Sequence, residues 1–139
     1  MADKDNVDKL EMISSRCIGD NDLSVFGEIW AEECVDHDPA PGQGPGAAGL
    51  KQFWSDFLDA FPDLTIEVDQ MTAADDHGAM AYRVTGSHQG TFMGIDPTGK
   101  PMEARGLQIS RHDTDGRIVE RWGSSDVLGI LQDIGAVDV

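Results

Sequence analysis

The stretch GAAGLKQFWSDFLDAFPDLTIEV, residues 46–68, contains both periodicities on which this fold depends. From Leu50 onward, apolar residues recur at i, i+3, i+4, i+7, i+8 and i+11, which predicts a helix over residues 46–61 with one apolar stripe. Pro62 ends this helix, because proline cannot continue the helical hydrogen bonding. Residues 64–68 then alternate between apolar and polar side chains, which predicts a strand. The aromatic stripe must therefore cover one face of a sheet.

Upstream of this stretch, the sequence predicts two shorter helices and a loop. Apolar residues recur at helical spacing over residues 7–17, and Gly19 ends that pattern. Asn21 or Asp22 can cap a second helix that extends to Trp30 and has Leu23 and Phe26 on the same side. The segment 35–49 is rich in proline and glycine, so we expect a loop there.

Downstream, the pattern is that of strands separated by turns. Three further strands are expected near residues 79–88, 101–112 and 118–124, followed by a short helix from Val127 to Ile134. Helices that are separate from antiparallel strands indicate the α+β class. The 139 residues suffice for a single domain, 1–139. We expect a cone-shaped α+β barrel, in which N-terminal helices pack on a strongly curved antiparallel meander that encloses an apolar pocket.

The charge of the chain excludes several classes of partner. It has 26 acidic and 10 basic residues, for a net charge of −16. Such a surface repels nucleic-acid phosphates and anionic lipids, so we expect neither partner. The polar, acidic N-terminus does not resemble a signal peptide, and no apolar run is long enough to span a bilayer. Cys17 and Cys34 are expected to be buried thiols, and we predict a cytoplasmic protein.

Several motifs, in the right order along nearly the whole chain, resemble the SnoaL-like polyketide cyclases of the NTF2-like superfamily. They are VDHDP at 35–39, AFPDL at 60–64, GSHQGTFMGIDPTGK at 86–100 and DGRIVERW at 115–122, followed by Asp126 and LGIL at 128–131. The resemblance implies an NTF2-like or cystatin-like cone. It also implies intramolecular aldol ring closure of a polyketide ester by acid/base catalysis, with neither a cofactor nor a metal.

The resemblance assigns the acid/base role to Asp126. A buried carboxylate at the end of the last strand would have a raised pKa and could act as a base. The same residue could instead cap the terminal helix, a common role for aspartate. His112, fourteen residues earlier, could orient Asp126 or polarise a carbonyl group, or it could be an exposed turn residue.

Other candidates are expected to contact the substrate. His37 matches a histidine of the family and fits a pocket rim better than a metal site, because adjacent residues rarely ligate one ion together. His88 could line the pocket or bond to the backbone. Aromatic residues could form pocket walls or only core, and those assigned to the pocket are Trp54, Phe57, Phe92 and Trp122.

Three functions remain open from the sequence. The first is cyclisation of a small apolar or aromatic metabolite. The second is hydrolysis or isomerisation in the same pocket, to which Asp69, Glu103 and Arg105 could contribute. The third is a binding or accessory domain without catalysis. In each case a homo-oligomer, dimer or tetramer, is expected, because an open sheet leaves one face uncovered.

Overall fold

The computed structural model describes residues 2–139, and in this range four α-helices accompany one five-stranded sheet. The first helical region comprises α1 (Ala2–Met12) and a wider helical turn (Ile13–Gly19). A short turn (Leu23–Val25), capped by Asp22, leads into α2 (Phe26–Ile29). The long aromatic helix is α3 (Gly46–Ala60), one residue shorter than expected.

The strands expected near residues 79–88, 101–112 and 118–124 are present close to those bounds, whereas the strand expected at 64–68 is longer. The strands of the sheet are β1 (Trp30–Asp36), β2 (Thr65–Ala74), β3 (His77–Ser87), β4 (Pro101–His112) and β5 (Ile118–Ser125). The terminal helix is α4 (Val127–Asp133). The sheet order is β1-β5-β4-β3-β2, in which β2 to β5 form the expected antiparallel meander.

The strand β1 corrects the sequence prediction. Trp30 begins a strand rather than ending a helix, and the loop shortens to residues 37–45. This strand pairs in parallel with β5, so the sheet is not wholly antiparallel. A register shift between Trp30 and Val35 disrupts the alternation, and the short helix α2 runs directly into the strand. Sequence periodicity therefore carried no clear signal for β1.

Two clusters of apolar side chains lie between the helices and the inward face of the sheet. One is built on Phe57, Phe61 and Phe92, and the other on Leu10, Ile29 and Ile118. Both clusters contact Leu23, Trp54 and Tyr82, which are only partly buried. The sheet bends around these clusters with register shifts in β2 and at the β4–β5 turn. The expected α+β architecture is confirmed.

Candidate functional site

The cross-strand register separates the inward side chains from the outward ones. Met80, Gln108 and Gly123 form one inward row, and Tyr82, Gly106 and Ser125 form the next. The outward rows contain Leu107, Ile109 and Trp122, which are 53%, 44% and 36% exposed. The two faces carry different candidate groups.

Asp126 lies at the outward rim of the sheet. Its backbone N–H donates to the Arg105 carbonyl (3.0 Å), and its side chain is exposed. The Oδ1 atom accepts a hydrogen bond from the Gly129 N–H at 2.8 Å, so the carboxylate caps α4. The helix-capping role is therefore present in the structure.

An open hollow of about 620 Å³ adjoins this carboxylate. Its lining includes Asp126, Arg105, Asp69, Tyr82 and Ser125, together with the outward residues Ala81, Leu107 and Ser124. The Tyr82 hydroxyl and the Ser125 hydroxyl are 3.1 Å apart. The hollow thus brings two carboxylates, one guanidinium and a hydroxyl pair to one place. These groups come from four neighbouring strands, β2 to β5, and from the residue that follows β5.

His112 lies far from this hollow. It lies seven positions beyond Arg105 along β4, a span of roughly 20 Å at the usual rise of a strand. It is buried, and its Nδ1–H donates to the Gly116 carbonyl at 2.8 Å, which leaves Nε2 to accept from the Ser110 hydroxyl at 2.7 Å. Burial lowers the pKa of His112, and the Gly116 hydrogen bond opposes part of that shift. The imidazole is held neutral in the core and does not meet Asp126.

His37 and Trp122 lie together on the outward face. Their rings stack at a centroid distance of 4.7 Å, with 6° between their planes. The His37 Nε2–H donates to Glu120 at 2.8 Å, and the Arg111 guanidinium contacts the same carboxylate at 2.6 Å. The hydrogen bonds from His37 and Arg111 lower the pKa of Glu120, and the larger effect comes from His37. These residues form an outward surface cluster, away from the cone interior.

The remaining aromatic candidates belong mainly to the core. Phe57 and Phe92 are buried in one apolar cluster at 5.8 Å, and Trp54 stacks on Phe57 at 5.9 Å. His88 is fully buried beside Phe61, and its Nδ1 accepts from the Thr98 N–H at 3.2 Å. Of these four predicted residues, Trp54 alone is partly buried at the junction of the two clusters.

The inward face carries a polar network that the sequence reasoning missed. Arg121 donates through Nη1 to Asp36 Oδ1 at 2.6 Å and through Nε to Gln108 Oε1 at 3.1 Å. The Gln43 amide donates to the other oxygen of Asp36 at 3.0 Å. The side chains of Arg121 and Asp36 are only 14% and 8% exposed. An arginine and an aspartate that face inward on adjacent strands left no distinct pattern in the sequence.

Within residues 2–139, no three histidine, cysteine, aspartate or glutamate side chains lie close enough to hold a metal ion. In the same range, no helix has the length and apolar character needed to cross a membrane.

Comparisons with known proteins define the family. IdmH from Streptomyces antibioticus, assigned as a polyketide cyclase, is 31% identical, with a TM-score of 0.78 over 94% of this chain and 98% of its own. AclR from Streptomyces galilaeus, assigned as a hydroxylase, is 30% identical, with a TM-score of 0.81 over 98% of this chain and 84% of its own. TsrD from Streptomyces laurentii shares the fold at 18% identity, with a TM-score of 0.86 over 96% and 97% of the two chains.

No functionally curated protein matches the sequence. The sequence profile of the SnoaL-like polyketide cyclases matches residues 11–134. That match covers most of the chain and agrees with the NTF2-like architecture of the solved relatives. The chain therefore belongs to the SnoaL-like polyketide cyclase family.

Proposed function

We propose that the protein closes a ring in a polyketide-like ester by a cofactor-free intramolecular aldol reaction, with Asp126 as acid and base. The carboxylate removes a proton from a carbon between two carbonyl groups. The resulting enolate carbon attacks a second carbonyl and forms the new C–C bond. The protonated Asp126 then returns the proton to the alkoxide, so the reaction requires no net oxidant or reductant.

The observation that carries this proposal is the hollow that Asp126 shares with the Tyr82–Ser125 hydroxyl pair. Its volume of about 620 Å³ is in the usual range for a small-molecule site. Capping occupies one carboxylate oxygen through Gly129, and the second oxygen has lone pairs for a proton. A hydroxyl nearby can donate to the oxygen on which negative charge develops.

The decisive experiment separates capping from proton transfer. Asp126→Asn and Asp126→Ser both retain an oxygen that can cap α4, but neither retains a carboxylate that can act as a base at neutral pH. With a linear aromatic polyketide methyl ester as substrate, we expect turnover to fall by at least about 100-fold in both variants. Ring closure is followed by liquid chromatography and mass spectrometry. Full activity in Asp126→Asn would refute the assignment.

A non-catalytic binding or accessory role is the second candidate. It is favoured by the exposure of Asp126 and by its bond to Gly129, since a helix cap needs no chemistry. This reading predicts that the polyketide ester binds without being converted, and that binding is the same in Asp126→Asn. Measurable ring closure by the purified wild-type chain would exclude it.

A hydrolase or isomerase reading rests on the other groups of the hollow. Asp69 and Arg105 line it together with Asp126, which supplies the two carboxylates and the arginine suited to epoxide opening. Asp69 also contacts Arg83 at 3.2 Å, and Glu103 lies in a second hollow beside Asp63. Hydrolysis of a terpenoid epoxide that depends on Arg105, with no ring closure of the ester, would favour this reading.

We also propose that the chain self-associates through its outward sheet face. Leu107, Ile109 and Val35 expose large apolar surfaces there, near Trp122. Like charges on two copies repel, so association should strengthen as salt is added. Analytical ultracentrifugation of the wild type and Ile109→Glu tests this proposal, and a wild type that stays monomeric at high salt would refute it.

A cytoplasmic location is our proposal as well. Cys17 and Cys34 are both buried as free thiols, and burial raises the pKa of Cys17 to about 11. Thiols kept reduced in this way suit a reducing compartment. Fractionation of the producing cell would test the location, and recovery outside the cytoplasm would overturn it.

A further inference from the structure

One guanidinium on the outward face of the sheet has no partner within the chain. Ion pairs hold four of the six arginines: Arg16, Arg83, Arg111 and Arg121. Among the described residues, Arg105 forms neither an ion pair nor a side-chain hydrogen bond, although the chain has 26 acidic residues. Its exposed side chain lines the hollow beside Asp126, so its N–H donors are available to a ligand there.

The neighbour of Arg105 on β3 is also an arginine. Arg105 lies directly opposite Arg83, whose guanidinium contacts Asp69 at 3.2 Å, Glu67 at 3.4 Å and Glu103 at 3.8 Å. Arg83 therefore engages the carboxylates on that side of the row. Like charges opposite one another on a sheet repel, which disfavours a position of the Arg105 side chain towards β3.

The neighbour of Arg105 on the other side is Asp126. Ser125 pairs with Gly106, and the next residue, Asp126, donates its backbone N–H to the Arg105 carbonyl. Opposite charges in such positions ordinarily attract each other. Here the Gly129 N–H holds Asp126 Oδ1 at 2.8 Å, and a Cβ on Gly129 would overlap the carboxylate. The carboxylate is thus turned towards α4, and the hollow contains a base and a separate, unpaired cation.

The shape of a guanidinium fits the anion that this base would create. When a carbon between two carbonyl groups loses its proton, the negative charge spreads over two oxygens in one plane. Arg105 offers parallel N–H donors that also lie in one plane, a geometry that suits paired oxygens better than the single ammonium of lysine. Asp126 is neutral once it has taken the proton, so the cation then faces the anion without competition from that carboxylate.

We propose that Arg105 is a further catalytic residue, which binds both oxygens of the enolate that Asp126 generates. This role rests on the proposed function of Asp126 as acid and base. Asp126 Oδ2 takes the proton, the electron pair of the C–H bond spreads over the two oxygens, and Arg105 donates two N–H groups to them. No bond to Arg105 forms, and the proton later passes from Asp126 to the alkoxide. The substrate class is a 1,3-dicarbonyl compound with both oxygens on the same side.

A stable enolate tests the anion site without turnover. 2-Acetyl-1,3-indandione is ionised at neutral pH, whereas 1-indanone presents one ketone oxygen on the same ring frame without charge. Calorimetric titrations are run in about 0.15 M salt, which screens the long-range repulsion of the acidic chain. We expect the enolate to bind at least about tenfold more tightly than the ketone. In the ¹⁵N-labelled wild type, the Arg105 Nε–H signal should shift as the enolate binds.

Three variants locate the effect. Arg105→Gln should bind the enolate about tenfold more weakly, and Arg105→Lys should recover only part of the loss. Arg117→Gln is the matched control, because Arg117 is exposed and has no ion pair among the described residues, and its enolate affinity should equal that of the wild type. Asp126→Asn should bind the enolate about fivefold more tightly, since it removes a like charge beside the anion.

Turnover of the linear polyketide methyl ester supplies a second measurement. In Arg105→Gln, kcat should fall by about 10- to 100-fold, because the negative charge that Arg105 stabilises appears only after proton transfer. KM should change little, since the ground-state ester carries no such charge. Arg117→Gln should retain the kcat and the KM of the wild type.

Four outcomes would overturn the role of Arg105. They are no enolate binding by the wild type, equal enolate affinities in Arg105→Gln and Arg117→Gln, an Arg105 signal that stays fixed while the enolate binds, and full turnover in Arg105→Gln. The signal is measured on the wild type, so it holds even if a variant folds poorly. Full turnover in Asp126→Asn would instead refute the base, with the enolate binding of Arg105 intact.

Discussion

The two faces of the sheet use polar residues in opposite ways. On the inward face, His112 is buried, Arg121 and Asp36 are mostly buried, and all three are bonded to one another or to neighbouring groups. At the outward rim, Asp126 and Arg105 border an open hollow. The inward polar groups hold strands in register, whereas the rim groups remain accessible to a ligand. Stability and reactivity should therefore respond to different substitutions.

The largest effect is expected at the inward ion pair. Arg121→Met leaves the buried Asp36 carboxylate without its partner and should lower the free energy of unfolding by about 3–5 kcal/mol. Urea denaturation followed by circular dichroism measures the change. The double variant Arg121→Met with Asp36→Leu removes both charges and should recover most of it. If the single variant lost less than about 1 kcal/mol, the pair would not be the inward anchor.

A smaller effect should follow from filling the space under Tyr82. Gly106→Ala places a Cβ where the Tyr82 ring lies, so the ring must move and lose its contact with Ser125. We expect a loss of about 1–3 kcal/mol, measured by thermal unfolding. Gly27→Ala is the matched control, because a Cβ on Gly27 of α2 meets no atom within 4 Å. Equal effects in both variants would show that the Tyr82 position is not specific.

At the rim, stability should depend on the cap and not on the charge. Asp126→Ala removes the oxygen that accepts from Gly129 and should cost about 1 kcal/mol, whereas Asp126→Asn should cost close to nothing. Chemical denaturation of the two variants in parallel measures the difference. A large loss of stability in Asp126→Asn would mean that the carboxylate has a structural role beyond capping.

The smallest expected effect is a slope in the pH dependence of stability. The pKa of His112 is lowered in the folded chain, mainly by burial. Below its ordinary value of 6.5, the unfolded chain therefore takes up a proton that the folded chain resists. Stability should be full above about pH 6.5 and should fall as the pH decreases from there. In His112→Gln the contribution of this imidazole to the pH dependence of the free energy of unfolding should vanish. Urea denaturation at several pH values measures it, and an unchanged pH dependence in the variant would contradict the prediction.

Much of the fold could be predicted because its periodicities are long. The stripe of α3 and the alternation of β2 to β4 fix each element and its buried side. The strand β1 could not be predicted, because its pairing partner lies some 85 residues away and its register is interrupted. Only the tertiary contact makes it a strand.

The candidate site was harder to predict because the alternation of inward and outward side chains is interrupted in β5. An alternation counted from Ile118 places Trp122 and Asp126 inward. A register shift lies where β4 meets β5: His112 pairs with Ile118, but Arg111 pairs with Glu120. The extra residue in β5 reverses which of its later side chains face inward. As a result Arg121 faces inward and Trp122 faces outward. A one-residue shift moves every following side chain to the other face.

The parallel pairing of β1 with β5 also determines when the molecule can be completed during synthesis. Residues 30–36 leave the ribosome long before residues 118–125, which supply their hydrogen-bonding partner. Until then the edge of β1 has open backbone groups and Asp36 has no counter-ion. The sheet can therefore be completed only after the last strand has been synthesised, and until then the net negative charge of the chain disfavours pairing with other copies.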